Sequence, residues 1–356
     1  MQIGLVGMPG AGKTTLFNLL TNNNRPTGMG MADEVIVGSA VVPDLRIDYL
    51  SALYKPRKTT YARIEFKDIP GVKMKDSKAR ASRLLEEVRS TDALVQVLKV
   101  FNDNGCLTDP SISYSDLINY RAELLLADID ALEKRIDRLL NNHKAAKESI
   151  LQVPIYKKLL DALENEQPVS SVKLTDVEKQ ILNGQAFLSE KPLFLVINLD
   201  ESQLQKLNYP GKDRIETFTA QTGIPAINVS ARVEMEINQL DSEDRQTFMD
   251  DLNLVESGLG KLSRLAYKRL GLISFFTVGE DEVRAWTIKE GTTAREAAGK
   301  IHSDIERGFI RAEVFHYDYL QQLGSTVKVR EAGHFRLEGK DYTVSDGDII
   351  NFRFNI

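Results

Sequence analysis

Eight residues near the N-terminus, Gly7-Met8-Pro9-Gly10-Ala11-Gly12-Lys13-Thr14, carry the spacing G-x-x-x-x-G-K-[ST]. Glycines in such a run let the backbone turn tightly, so that several N–H groups converge on one anion. A lysine there supplies a point charge for β- and γ-phosphates, and the following hydroxyl is a hard oxygen ligand for Mg²⁺. Gly7, Gly10, Ala11, Gly12, Lys13, Thr14 and Thr15 are therefore the candidate phosphate contacts of a nucleotide. A second stretch, Asp68-Ile69-Pro70-Gly71, reads D-x-x-G. By itself it is also a strand-end turn. Downstream of a phosphate loop it offers Asp68 as a further Mg²⁺ contact beside Thr14, and the Gly71 N–H as a donor to the γ-phosphate. Lys13 and Gly71 are thus the catalytic candidates.

A third stretch, Asn198-Leu199-Asp200-Glu201, stands where guanine-binding proteins place N-K-x-D, and Ser230-Ala231 follows the next strand as a base-side loop. Asn198, Leu199, Glu201, Ser230 and Ala231 are the candidate base contacts. The aspartate of N-K-x-D accepts hydrogen bonds from guanine N1–H and its 2-amino group. Glu201 is one methylene longer and cannot put its carboxylate at the same point without moving, while Leu199 offers only apolar surface. The guanine-specific element is therefore missing, and an apolar site discriminates only weakly between bases. Val72 follows Gly71 where many GTPases place a water-orienting glutamine, and valine has no donor or acceptor, so intrinsic hydrolysis should be slow.

These groups need elements to hold them. Gln2 to Val6 reads as a buried strand leading into the loop, and Thr15 to Leu20 as the start of a helix. Further strands are read at 35–43, 62–69, 93–100, 191–198 and 226–231, with helices at 44–54 and 80–89. Leu125, Ile129, Leu132, Ile136 and Leu139 recur at 4-3-4-3 spacing, an apolar seam on a long helix. Tyr156, Leu159, Leu160 and Leu163 fit a returning helix, so a helical hairpin is inserted in the nucleotide-binding domain, its turn near Asn142-His143. Its basic residues, among them Lys134, Arg135, Arg138 and Lys158, are mixed with acidic ones; they read as a solvated face or as a surface turned to RNA. From Ser274 the pattern becomes a small mixed sheet with one main helix at 293–305, and strands at 275–278, 283–288, 309–314, 342–344 and 349–354. The fold class is α/β: a P-loop nucleotide-binding domain over 1–114 and 191–273, an inserted helical domain over 115–190, and a C-terminal α+β domain over 274–356. All nucleotide motifs lie upstream of Ser274, so a chain cut there is expected to keep nucleotide binding.

The bulk properties fit a globular nucleotide-binding protein. The chain has 356 residues and a formal net charge of −5, which gives no global basic field to draw it to DNA. One cysteine, Cys106, leaves no internal disulfide and suits a reducing compartment. There is no apolar run long enough to span a bilayer, so a cytoplasmic protein without a membrane partner is expected.

The chain resembles the YchF-type Obg-like ATPases, a branch of the translation-factor class of phosphate-loop GTPases. The most specific match is C-terminal: Glu282-Val283-Arg284-Ala285-Trp286-Thr287, then Asp304 to Val314, then Leu337-Glu338-Gly339-Lys340-Asp341-Tyr342 and Asp346 to Phe354. The resemblance covers nearly the whole chain. It implies a C-terminal TGS domain of β-grasp type, ATP hydrolysis with Mg²⁺, and association with the ribosome or ribosomal RNA. Departures from the family pattern are local. Gly10-Ala11-Gly12-Lys13-Thr14-Thr15 stands for the usual Asn-Val-Gly-Lys-Ser-Thr, so the Asn that helps hold a monovalent cation in related enzymes is replaced by Gly10. The mobile segment with a Mg²⁺-binding threonine has no clear match, Thr27 and Ala32 being nearest. Three readings follow: a slow ATPase switch reporting to the ribosome, a GTPase of the same fold, or a ribosome-binding protein that holds nucleotide with little turnover.

Overall fold

A computed structural model describes residues 1–24, 26, 34–71, 78–101, 111–141, 146–182, 184–252, 254 and 256–355. The expectations placed on Thr27, Ala32, Val72, Cys106 and Asn142-His143 lie outside the described residues. The strands are β1 (Gln2–Val6), β2 (Ile36–Val41), β3 (Lys58–Thr60), β4 (Arg63–Asp68), β5 (Ala93–Lys99), β6 (Leu193–Asn198), β7 (Ala226–Val229), β8 (Leu272–Thr277), β9 (Glu282–Lys289), β10 (Phe309–His316), β11 (Arg336–Glu338) and β12 (Asp348–Phe354). The helices are α1 (Lys13–Thr21), α2 (Leu45–Tyr54), α3 (Lys78–Arg89), α4 (Ser111–Asn141), α5 (Ala146–Glu164), α6 (Asp176–Ile181), α7 (Glu201–Lys206), α8 (Lys212–Thr222), α9 (Ala231–Gln239), α10 (Ser242–Asp251), α11 (Gly258–Arg269), α12 (Ala294–Ile301), α13 (Ser303–Arg307), α14 (Tyr317–Leu323) and α15 (Thr326–Glu331).

The chain folds into two compact units, one of residues 1–38 and 66–258, the other of residues 39–65 and 259–356. The sheet of the first unit runs β2-β4-β1-β5-β6-β7, with β1–β5, β5–β6 and β6–β7 parallel. The chain passes between the units inside β2 and again inside β4. Ala93 to Leu98 of β5 and Phe194 to Asn198 of β6 are buried without a break, the texture of a parallel strand covered on both faces. β1 lies between β4 and β5, so the loops after β1, β4 and β6 open at the carboxyl ends of the sheet, where α/β folds take ligands.

The apolar seam forms as its spacing predicts. Leu132 and Ile136 of α4 are buried with Val153, Tyr156, Leu159 and Leu163 of α5. α4 is one continuous helix serving three cores. Leu117 packs with β5 and β6 residues, Leu124 packs with Val6 and Ile69, and Leu132 enters the hairpin core. The inserted hairpin is thus rooted in the sheet through its own first helix.

The second unit carries a mixed sheet in the order β11-β10-β12-β8-β9-β3. β8–β9, β10–β11 and β10–β12 are antiparallel, and β12–β8 and β3–β9 parallel. Phe275, Ala294, Ala297, Ala298, Val314 and Ile350 fill its core. Sequence order places residues 39–65 and 259–273 in the nucleotide-binding domain; in the structure they group with the C-terminal chain. β3 pairs with β9 at Lys58↔Glu282 and Thr60↔Arg284. The Arg46 guanidinium donates to Asp44 and to Asp346 at 2.9 Å, and the Tyr54 and Thr326 hydroxyls lie 2.6 Å apart. The helix expected at 293–305 is two helices: His302 is extended, at φ −161°, and its ring nitrogen accepts from the Asp304 N–H, starting α13. Residues 342–344 form only an isolated bridge, Thr293↔Thr343, instead of a strand.

Candidate nucleotide site

The loop after β1 enters α1 through Gly12, which sits at φ +98°. A Cβ there would lie 2.5 Å from the Asn198 amide nitrogen, so both backbone conformation and space call for glycine. Gly7 and Gly10 also have positive φ. Lys13 opens α1 and is 6 % exposed. Its ammonium folds back over the loop, donating to the Gly7 and Met8 carbonyls at 2.8 and 2.9 Å. Burial pulls its pKa down to about 8, and the negative charge of Asp68 opposes this in part. An ammonium held at this cost gains most from an arriving polyphosphate. Thr15 lies half-buried in the first turn of α1.

Thr14 Oγ1 donates to Asp68 Oδ2 at 2.8 Å, so the two groups expected to serve one cation already meet. A hydroxyl and a carboxylate are both hard oxygen donors, and with phosphate oxygens and waters they fit Mg²⁺, which prefers one or two protein oxygens beside its substrate. Asp68 is fixed because it ends the buried stretch Phe66-Lys67-Asp68 of β4 and is itself 1 % exposed. Gly71 follows closely packed: a Cβ would come within 2.8 Å of the Gly7 carbonyl and 3.0 Å of Pro9. D-x-x-G is therefore laid against the beginning of the phosphate loop, and only glycine lets the two backbones approach so far.

Asn198 is 3 % exposed at the end of β6. Its amide donates to the Ala11 carbonyl at 3.0 Å, and its oxygen accepts from the Ala231 N–H at 3.1 Å. One carboxamide thus fastens the phosphate loop to the start of α9. Ser230 caps α9, its hydroxyl accepting from the Val233 N–H. Asp200 caps α7 in a reciprocal box with Gln203, which leaves Glu201 exposed in the first turn of that helix. Leu199 departs from its expected role. It is 1 % exposed and packs in the core under α8 and α9, so its side chain does not present a surface to a base.

Two features of the site carry no motif in the sequence. A cavity of about 400 Å³ lies behind the loop, lined by Pro9, Gly71, Leu84, Val88, Tyr120 and Leu124. Lys67, next to Asp68, is buried and its ammonium donates to Glu87 at 3.0 Å and Ser90 at 2.8 Å on α3 and at its end. The pairing of Lys67 is set only by the tertiary fold, since nothing in the local pattern of β4 singles out a residue near α3 as its partner.

Residues 2–144 match the family model described as "50S ribosome-binding GTPase", and residues 272–355 match YchF-GTPase_C, described as "Protein of unknown function (DUF933)". The "Ribosome-binding ATPase YchF" of Bacillus subtilis (strain 168) is 38% identical over 371 aligned positions, covering 100% of both chains. The protein of that name from Haemophilus influenzae is also 38% identical, covering 100% of this chain and 99% of its own. The chain belongs to the YchF family. The solved Schizosaccharomyces pombe YchF GTPase agrees at a TM-score of 0.85 and 30% identity, covering 99% of this chain and 97% of that one. This YchF-family chain therefore has the P-loop GTPase fold and the C-terminal YchF domain that its sequence pattern implied. Among its described residues no helix is long and apolar enough to cross a membrane.

Proposed function

We propose that this chain is a cytoplasmic ATPase that binds ATP with Mg²⁺, hydrolyses it slowly, and associates with the ribosome according to nucleotide state. The observation that carries the reading is the convergence of Lys13, Thr14, Asp68 and Asn198 on one loop. The names of its relatives, ribosome-binding ATPases, supply the partner and the base.

Lys13 balances charge on the β- and γ-phosphates, and the loop N–H groups and the N-terminus of α1 orient them. Thr14 and Asp68 would hold Mg²⁺, which would supply positive charge against the phosphate oxygens. Gly71 presents a backbone donor beside the γ-phosphate. For the base, the acidic residue of the guanine-reading pattern is replaced by Glu201, exposed on α7, and the lysine by a core leucine. No group at these two places is set to pair guanine N1–H and its 2-amino group, which supports adenine over guanine.

Single-turnover hydrolysis of ATP and GTP, with and without ribosomes, tests the proposal. Expected are ATP turnover well below the roughly 10 s⁻¹ of a median enzyme and tighter binding of ATP than GTP in competition. GTP displacing a labelled ATP analogue at least as well as ATP would overturn the base assignment. Equal co-sedimentation with ribosomes in ADP and in a non-hydrolysable ATP analogue would remove the switch.

A further inference from the structure

We propose that the groove at the root of the helical hairpin is a second ligand site, separate from the nucleotide site, that takes a small organic phosphate. The groove has a volume of about 510 Å³, within the roughly 300–1,000 Å³ usual for small-molecule sites. Three guanidinium groups line it: Arg89 from the last turn of α3, and Arg135 and Arg138 from α4. Arg135 and Arg138 are three apart on one helix, so they are neighbours on its surface.

The charge balance of the groove favours an anion. Asp128 is the one carboxylate in its lining, and that carboxylate is already committed. It is fully buried and accepts from the Leu188 N–H, the Ser189 N–H and the Ser189 hydroxyl at 3.0, 2.8 and 2.8 Å. Arg89 approaches Asp128 and Glu86 only to 3.8 Å and spends one N–H on the Ala186 carbonyl. Arg135 and Arg138 have no ion-pair partner among the described residues, whereas Lys134 and Lys158 of the same hairpin are paired, with Asp130 and Glu178.

The groove is also partly ordered in advance. Arg135 lies over the Tyr156 ring at 5.2 Å. Gln185, oriented by its hydrogen bonds with its oxygen toward Arg135, accepts from Nε at 3.2 Å and Nη1 at 3.0 Å. A guanidinium so braced presents its remaining N–H edge without first losing rotamer freedom. Its planar fork matches phosphate oxygens, and Leu132, Leu139 and Phe187 supply an apolar wall for the organic part of the ligand. The lining is short, confined to the end of α3, one stretch of α4, Gln152 of α5 and the 184–187 segment, which suits a small molecule better than a strand of nucleic acid tracking along the hairpin.

The test uses the full chain loaded with one equivalent of ADP and Mg²⁺, so that the phosphate loop is filled and the groove stays open. Calorimetric titration with inorganic pyrophosphate should give one saturable site per chain, and Arg135→Gln/Arg138→Gln should weaken it about tenfold or more, as loss of two charge-assisted contacts implies. The first, tight phase of an ADP titration of nucleotide-free chain, filling the phosphate loop, should be the same in both proteins, which keeps this outcome independent of the nucleotide reading. No saturable binding to the ADP-loaded chain, or equal affinity in the double variant, would refute the site. A single-stranded 12-mer RNA that binds through these arginines while pyrophosphate does not would refute the small-molecule class and make the groove a nucleic-acid contact.

Discussion

Asn198 shows what a residue of the family pattern does when the rest of the pattern changes. The base-reading positions around it differ from N-K-x-D, yet its carboxamide is engaged at both ends, by Ala11 and by Ala231. Its first task here is to hold the phosphate loop, whichever base is bound. Asn198→Ala leaves a buried carbonyl and a buried N–H without their partner, a loss of about 1–3 kcal/mol each in the usual range. The expected result is a folded protein with a lower denaturation midpoint and nucleotide affinity reduced at least tenfold; unaltered affinity in a fluorescent-nucleotide titration would show that the loop keeps its shape without the tie. Lys13→Ala should go further and abolish tight binding, because the polyphosphate loses the point charge in its backbone cradle. The same titration checks it, and retained affinity would remove Lys13 from the site. That Lys13, Thr14, Asp68 and Asn198 come together around one loop was legible, because each belongs to a spacing that phosphate-loop chemistry requires. The direction of the Leu199 side chain was not, since a leucine beside a polar strand end is equally at home facing ligand or core, and the packing of α8 and α9 decides it.

Helices and strands were legible where one period dominates. The 4-3-4-3 seam marks α4 and its return α5, and continuous apolar runs mark β5 and β6. Where a single residue interrupts the period the reading failed: 293–305 looks uniformly helical until His302 turns extended and caps α13 with its own ring. The Lys67 link between β4 and α3 is an element-scale device of the same hidden kind. Its ammonium is buried, with 8 % of the side chain exposed, while Glu87 keeps 33 % exposed. Removing either partner therefore has unequal consequences. Glu87→Ala strands a buried cation with Ser90 as its remaining acceptor and should cost about 2–4 kcal/mol. Lys67→Met keeps the apolar stem and leaves a carboxylate that water can reach, so about 0–1 kcal/mol is expected. Urea denaturation of the two variants measures both. Equal losses, or the larger loss in Lys67→Met, would mean that α3 is not fixed to β4 through this ion pair.

At the scale of the molecule, sequence order and spatial grouping diverge. The change of texture at Ser274 suggests a C-terminal domain that could be removed cleanly, since every nucleotide motif lies upstream. The structure gives that domain upstream components, residues 39–65 and 259–273, the first joined to it by contacts spanning as many as 300 positions. Local patterns carry no trace of such contacts: Lys58-Thr59-Thr60 is too short to announce a strand, and Arg46 is one arginine among many. A chain ending at Ile273 would keep β3 but lose β9, its parallel partner. It would also lose Asp346 from Arg46 and Thr326 from Tyr54. Ile47 and Leu50 of α2 are fully buried in the whole chain, and α2 lies against β9. Exposing these two side chains alone costs about 3–6 kcal/mol. The shortened chain should therefore melt at least about 10 °C below the full protein, bind a hydrophobic dye, and hold nucleotide only at temperatures where the remaining fold persists. Calorimetry and dye binding on the chain ending at Ile273 decide the matter: a midpoint equal to that of the full chain, with no dye binding, would show that residues 39–65 are stable without the C-terminal sheet. Ribosome association of such a fragment therefore carries meaning only after this measurement, since loss of binding by a partly unfolded chain says nothing about which surface docks.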